Sequence, residues 1–139
     1  MFCSTHNRLV LQFHITGRCN LRCKHCYRTE GDVETLTYED IINVIEQFIT
    51  LRKKYNALQG IKKRGHINLT VGEPFFRKDI KDIIKYLGEL RTQFTYGILS
   101  NGSFINEEII DLLKKTEVSF VQLSIDGDKE THDGLRAPG

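Results

Sequence analysis

The sequence lacks nearly every feature that marks a nucleic-acid-binding, membrane-bound or secreted chain. Its 20 lysines and arginines stand against 18 aspartates and glutamates, for a net charge of +2 over 139 residues. That near-balance gives no reason to invoke nucleic acid or an anionic membrane as a partner. No apolar run approaches the roughly 18 residues of a spanning helix, and no signal-peptide pattern opens the chain. Low-complexity segments and sequence repeats are missing as well. So is a disulfide framework: of four cysteines, three cluster and Cys3 stands alone near the amino terminus. What remains is one globular unit, 40% hydrophobic and 27% charged, placed in a reducing cytoplasm with its thiols free for metal.

The clustered thiols organise everything else. Cys19, Cys23 and Cys26 are spaced C-x3-C-x2-C in one short loop, just after the apolar run Leu9 to Ile15. Thiolates are soft ligands that suit iron–sulfur clusters, zinc or Cu(I). A cubane cluster normally takes four cysteines, so three local ones leave one iron without a local ligand. Either a distant cysteine fills that position, or it stays open for a small molecule, as a catalytic metal site requires.

Along the chain, strands and helices alternate. Leu9 to Ile15 reads as a buried strand, followed by a loop from Thr16 to Leu36 with the turn-forming Gly31-Asp32. Thr37 with Asp40 forms a variant capping box. Ile41, Ile42, Ile45, Phe48, Ile49 and Leu51 recur at helical spacing, so Tyr38 to about Leu58 is a long amphipathic helix. After a connector from Gly60 to Gly65, His66 to Val71 is a second strand, closed by Gly72-Glu73-Pro74. Asp79 to Thr92 is a second helix and Thr95 to Leu99 a third strand, ending in Ser100-Asn101-Gly102. Asn106 caps a third helix. Val118 to Ile125 is a fourth strand running into Asp126-Gly127, and Asp128 to Gly139 a polar loop or short helix start.

This alternation predicts an α/β fold with a parallel sheet and right-handed crossovers. Every unusual element then follows a strand: the cysteines, Gly72-Glu73-Pro74, Ser100-Asn101-Gly102 and Ser124-Ile125-Asp126. In a parallel sheet or barrel those positions share one rim, where active sites gather. The predicted site is composite. A closed (β/α)8 barrel needs roughly 200 residues or more, whereas here only about four β/α units are present. Residues 1–139 therefore read as the amino-terminal portion of a larger core domain, or as a chain that completes its sheet with a partner.

These motifs together resemble the radical S-adenosylmethionine (SAM) superfamily, whose signature is a C-x3-C-x2-C loop after the first strand of a partial (β/α)6 barrel of TIM type. Val71-Gly72-Glu73-Pro74 resembles the family's G-G-E-P segment with its first glycine replaced, and Ser100-Asn101-Gly102 its T/S-N-G. Leu123-Ser124-Ile125-Asp126-Gly127, with His132-Asp133 and Arg136, is similar to the S-x-D-G…H-D-x-x-R run of the SPASM/twitch-like branch, which includes sulfatase maturases and peptide-modifying enzymes. The resemblance covers Leu9 to Arg136.

The resemblance implies that Cys19, Cys23 and Cys26 bind three irons of a [4Fe–4S] cluster while SAM chelates the fourth. Reductive cleavage of SAM would then give a 5′-deoxyadenosyl radical that abstracts hydrogen from a peptide or protein side chain, or from a small molecule. The reducing electron would come from a donor such as a flavodoxin or ferredoxin. By family position Gly72 and Glu73 meet the methionine amine, and Ser124 and Arg136 hold the ribose and carboxylate. Thr70, Ser100 and Asn101 line the SAM pocket, and His25 and Tyr27 flank the adenine. Arg22, Lys24 and Arg28 offset negative charge at the cluster. The isolated 139-residue chain is expected to be inactive, since half of the barrel wall would be missing.

Plainer readings stand beside these. A structural zinc site completed by Cys3, His14 or His25 would usually show a second paired-ligand knuckle, which is lacking. An electron-transfer cluster using Cys3 leaves the other rim motifs unexplained. Glu73 reads otherwise as a loop carboxylate beside a turn proline, and Ser100-Asn101-Gly102 as turn chemistry. Asp126-Gly127 reads as a turn, not a general base. His14 and His66 read as core or edge histidines, and His132-Asp133 as a support for the loop carrying Arg136. Arg52, Lys53, Lys54, Lys62, Lys63 and Arg64 read as a solvated face at a helix end.

Overall fold

The structure is a computed structural model that describes residues 8–27 and 36–136. Cys3, Arg28 and the Gly31-Asp32 turn lie outside those residues. The first strand, β1 (Val10–His14), leads into the cysteine loop, and the chain returns to helix α1 (Tyr38–Gln59). Strand β2 (Gly65–Thr70) and a 3-10 turn (Pro74–Phe76) precede α2 (Ile80–Glu89). Strand β3 (Phe94–Ser100), α3 (Glu107–Lys115), β4 (Phe120–Leu123) and α4 (Lys129–Leu135) complete the order.

All strand pairs are parallel, in the order β1-β2-β3-β4. This is the predicted architecture, and its cause is the apolar patterning. Phe13, Ile67, Leu69, Tyr96 and Ile98 point to one face of the sheet, where they meet buried Ile41, Ile45 and Phe48 of α1 and Ile83, Ile84 and Leu87 of α2. The α1 stripe is narrower than its spacing suggests: Leu51 is 54% exposed, on the far side of the helix. Thr37 and Asp40 form the expected reciprocal capping box, and Gly60 ends the helix at φ 63°. Asn106 caps α3 through the Ile109 N–H.

The opposite face of the sheet is polar. His14 lies there on the exposed edge strand, and His66 is buried there. His66 shares hydrogen bonds with Thr95 (2.6 Å) and Asn68 (2.7 Å) and stacks on Phe120. It is a satisfied histidine, and burial pushes its pKa down. Gly97 makes that stack fit, because a Cβ there would lie 2.4 Å from the Phe120 ring.

Some elements differ from expectation. Strand β4 is shorter than Val118 to Ile125: its ladder with β3 runs from Gly97–Phe120 to Ser100–Leu123, and the flanking residues add only the Ser119 N–H bond to Tyr96 (2.8 Å) and the Ser124 N–H bond to Ser100 (3.0 Å). Beyond them, Ile125 is 70% exposed. The second helix stops at Glu89, short of the expected Thr92, because Leu90 and Gln93 close a turn into β3. The basic cluster is not wholly solvated: Arg52 folds inward over Phe94 and donates to the Lys63 carbonyl and Gln93. Among the described residues no helix is long and apolar enough to cross a membrane.

Candidate functional site

The carboxyl ends of the four strands form one rim, and a cavity of about 250 Å³ opens there. Cys19, Cys23 and Cys26, with His25 and Tyr27, make one wall. Thr70, Val71 and Gly72 at the end of β2 and Leu99, Ser100 and Asn101 at the end of β3 make the floor. Ser124 and Arg136 close the side beyond β4. Eleven of the twelve residues singled out by motif thus line one space; the twelfth, Glu73, lies beneath it. Leu99 is a lining residue that no motif marked, and Val71 lines the space at the position where the family's first glycine is replaced.

The cysteine loop is long, so its shape must come from contacts made elsewhere. Gly72 supplies one. A Cβ at Gly72 would sit 2.2 Å from the Arg18 carbonyl, and the neighbouring Glu73 N–H donates to that same carbonyl at 2.9 Å. Only glycine lets the end of β2 approach the loop this closely. Both Val71 (φ 69°) and Gly72 (φ 66°) are left-handed, so Val71 holds the conformation that the missing glycine would adopt without strain. A second anchor comes from α4, whose Leu135 carbonyl accepts from the Lys24 N–H at 2.8 Å.

The third anchor is Arg77, which no motif pointed to. Its buried guanidinium forms a bidentate pair with Asp79 (2.8 and 2.7 Å) and donates from Nη1 to the Ile15 (2.7 Å) and Leu36 (3.1 Å) carbonyls. Those carbonyls are the entrance and exit of the cysteine loop. One side chain therefore pins both ends, and it holds the Asp79 carboxyl below its usual pKa.

Glu73 is fully buried, and its carboxylate is engaged on both oxygens. One accepts from Ser100 Oγ (2.8 Å) and the Phe75 N–H (3.1 Å), the other from the Asn101 N–H (2.7 Å). Burial raises its pKa, and these donors pull it back. In this geometry Glu73 ties the end of β2 to the end of β3.

Arg136 reaches back over the cysteines. Asp126 accepts from Arg136 Nε and, at 3.2 Å, from Nη2, while Nη1 lies 3.8 Å from Cys23 Sγ. His25 and His132 flank the same carboxylate at 3.8 and 3.9 Å. The Arg136 hydrogen bond keeps Asp126 below the ordinary carboxylate range, and Asp126 raises Arg136 in turn. Asp126 is more than a turn residue, because it aims the arginine. His132 supports this arm through Asp126, as expected, whereas Asp133 pairs with Lys129.

Three thiols outside any disulfide line one side of an open cavity, Cys19 and Cys23 half-buried and Cys26 exposed. Among the described residues no three His, Cys, Asp or Glu side chains converge as ligands of one metal ion. Three sulfurs on one side of the cavity are the soft ligands that an iron–sulfur cluster takes, and the open side leaves room for a further ligand. Arg136 beside Cys23 and amide groups beside Cys19 complement negative charge on such a group. The residues fit an iron–sulfur cluster with an open position.

Comparison with known proteins agrees with this geometry. The family model described as "Radical SAM superfamily" matches residues 13–138. Molybdenum cofactor biosynthesis protein 1 of Dictyostelium discoideum is 34% identical over 116 residues, covering 84% of this chain and 17% of that protein. Fe-coproporphyrin III synthase of Methanosarcina barkeri is 30% identical over 136 residues, covering 96% of this chain and 31% of that protein. Among solved structures, Streptococcus suis SuiB bound to its precursor peptide SuiA superposes with a TM-score of 0.71 at 19% identity, over 94% of this chain and 27% of SuiB. The chain thus spans less than a third of the length of each of these proteins.

Proposed function

Because the chain belongs to the radical SAM superfamily, we propose that it is the cofactor-binding part of an enzyme that uses a [4Fe–4S] cluster and SAM. The observation that carries this reading is the rim, where three thiols and three further strand-end motifs surround one cavity of about 250 Å³. When bound, the cluster and SAM supply reductive cleavage of the sulfonium and a 5′-deoxyadenosyl radical for hydrogen abstraction.

The chain's own residues bind and orient. Cys19, Cys23 and Cys26 each hold one iron. The Gly72 backbone and Thr70, on the cavity floor, would hold the methionine end, and Ser124 the ribose. Arg136, aimed by Asp126 and lying beside Cys23, would offset the negative charge of the cluster and hold the SAM carboxylate. His25 and Tyr27 stand at the adenine side of the cavity. Glu73 acts from below, by holding the two strand ends together. A reducing cytoplasm suits thiols kept out of disulfides, with a flavodoxin- or ferredoxin-type electron donor.

Two substrate classes remain distinct proposals. A peptide or protein side chain is supported by the Ser124…Arg136 run of SPASM/twitch type. A small molecule is supported by the relatives at 30–34% identity, which carry names of cofactor and porphyrin biosynthesis. Size-fractionated cell extract, added to the whole enzyme of which this chain is proposed to be the cofactor-binding part, separates the two. Release of 5′-deoxyadenosine stimulated by a protease-sensitive fraction favours the peptide, and stimulation by a protease-resistant small-molecule fraction favours the other.

Anaerobic reconstitution followed by EPR, with and without SAM, tests the chemistry. The expected result is a [4Fe–4S]+ signal that changes on adding SAM and is lost in Cys23→Ala. A signal indifferent to SAM would instead identify an electron carrier, and tight zinc without a cluster would identify a structural site.

A further inference from the structure

We infer that Asn101 is a hydrogen-bond donor to the Cys19 thiolate, and that it sets the reduction potential of the cluster instead of binding SAM. The inference rests on the cluster reading above and assigns Asn101 a different task from the one its motif implies.

The orientation of the Asn101 amide is decided by its neighbours. Oδ1 accepts from the Ser103 N–H at 2.9 Å and from Ser103 Oγ at 2.6 Å. A backbone N–H can only donate, so the oxygen must face Ser103 and the nitrogen must face the opposite way. That nitrogen donates to Asn20 Oδ1 at 3.0 Å and lies 3.9 Å from Cys19 Sγ. The Asn101 backbone is fixed too, by its N–H bond to buried Glu73 at 2.7 Å. Asn20 closes the ring by donating to Ser103 Oγ at 2.9 Å. Every polar atom of the Asn101 side chain is thus engaged within the loop system or aimed at sulfur.

Cys19 also receives the Leu21 N–H, with 3.5 Å between nitrogen and sulfur. Hydrogen bonds to a ligating sulfur stabilise the electron-rich reduced cluster, which raises its potential. Asn101 belongs to the end of β3, 82 residues from Cys19. It therefore couples the potential of the cluster to the packing of the sheet. It is a positioning residue that acts through the thiolate.

Redox titration of the reconstituted protein, followed by EPR, gives the test. In Asn101→Ala the cluster should be harder to reduce, with the reduced-to-oxidised ratio at fixed potential falling about tenfold, or about 59 mV for a one-electron couple. The SAM-induced change in the signal should persist at similar SAM concentrations. An unchanged potential with weakened SAM binding overturns the inference and returns Asn101 to the SAM pocket. If the variant does not hold a cluster, wild-type protein labelled with side-chain 15N-asparagine decides: a nitrogen coupling to the [4Fe–4S]+ spin supports the bond, and its absence overturns it. A wild-type protein without a SAM-responsive cluster overturns the reading itself, which separates that failure from this one.

Discussion

Val71 shows what one substituted residue can cost. Its φ of 69° lies in the left-handed region, which a β-branched side chain enters only under strain of about 1–2 kcal/mol. Replacement by glycine removes that strain but adds freedom to the unfolded chain worth about 0.5–1 kcal/mol. Val71→Gly should therefore raise stability by about 0.5–1 kcal/mol in urea unfolding. A loss of stability would show that the partly buried valine packs well enough to outweigh its backbone. At the same scale, Glu73 was legible as a special residue but not as a buried one. Its place in Gly72-Glu73-Pro74, just after the second strand, is visible in the sequence, whereas the three donors that enclose it come from neighbouring Phe75 and from Ser100 and Asn101, 27 and 28 residues away.

At the scale of elements, the alternation of strand and helix was readable because each signal is local. Apolar spacing, the Thr37 capping box and the Asn106 cap act within a few residues; both caps appear as expected, and so does the apolar stripe of α1 apart from exposed Leu51. The clamp on the cysteine loop was not readable, because Arg77 looks in sequence like any basic residue after a turn. Only folding brings it 2.7 Å from the Ile15 carbonyl, 62 residues away. Arg77→Met should destabilise the protein by about 1.5–3 kcal/mol, since it removes the charged donor from half-buried Asp79 and from two carbonyls. Cluster binding should weaken with it, read as iron retained after desalting. Arg77→Lys should not restore either quantity, because an ammonium cannot reproduce the bidentate pair while also reaching both carbonyls. A loss below about 1 kcal/mol would mean that the loop ends are held without the clamp.

Over the whole molecule, the helices cover one face of the sheet and leave β4 as an edge. Leu123 is 48% exposed there, Ile125 is 70% exposed, and a groove of about 280 Å³ runs past Ile110, Val118 and Val121. Unpaired strand edges beside apolar surface promote association between chains. The 139-residue chain should self-associate as its concentration rises, seen by analytical ultracentrifugation. Leu123→Lys, a charge of the kind that protects natural edge strands, should increase the monomer fraction without changing the circular dichroism. Unaltered association would place the contact elsewhere.

The sequence by itself determined the parallel α/β order, the three clustered thiols and the strand-end rim, because each is written in spacing over a few residues. The tertiary structure alone decided what those motifs touch. Glu73 turns inward, Arg77 pins the loop, Asp126 aims Arg136 at Cys23 across 113 residues, and Asn101 faces Cys19 across 82. Such contacts depend on how strands pack and where loops return. Hydrogen-bond direction and burial are properties of that packing, and no local pattern carries them.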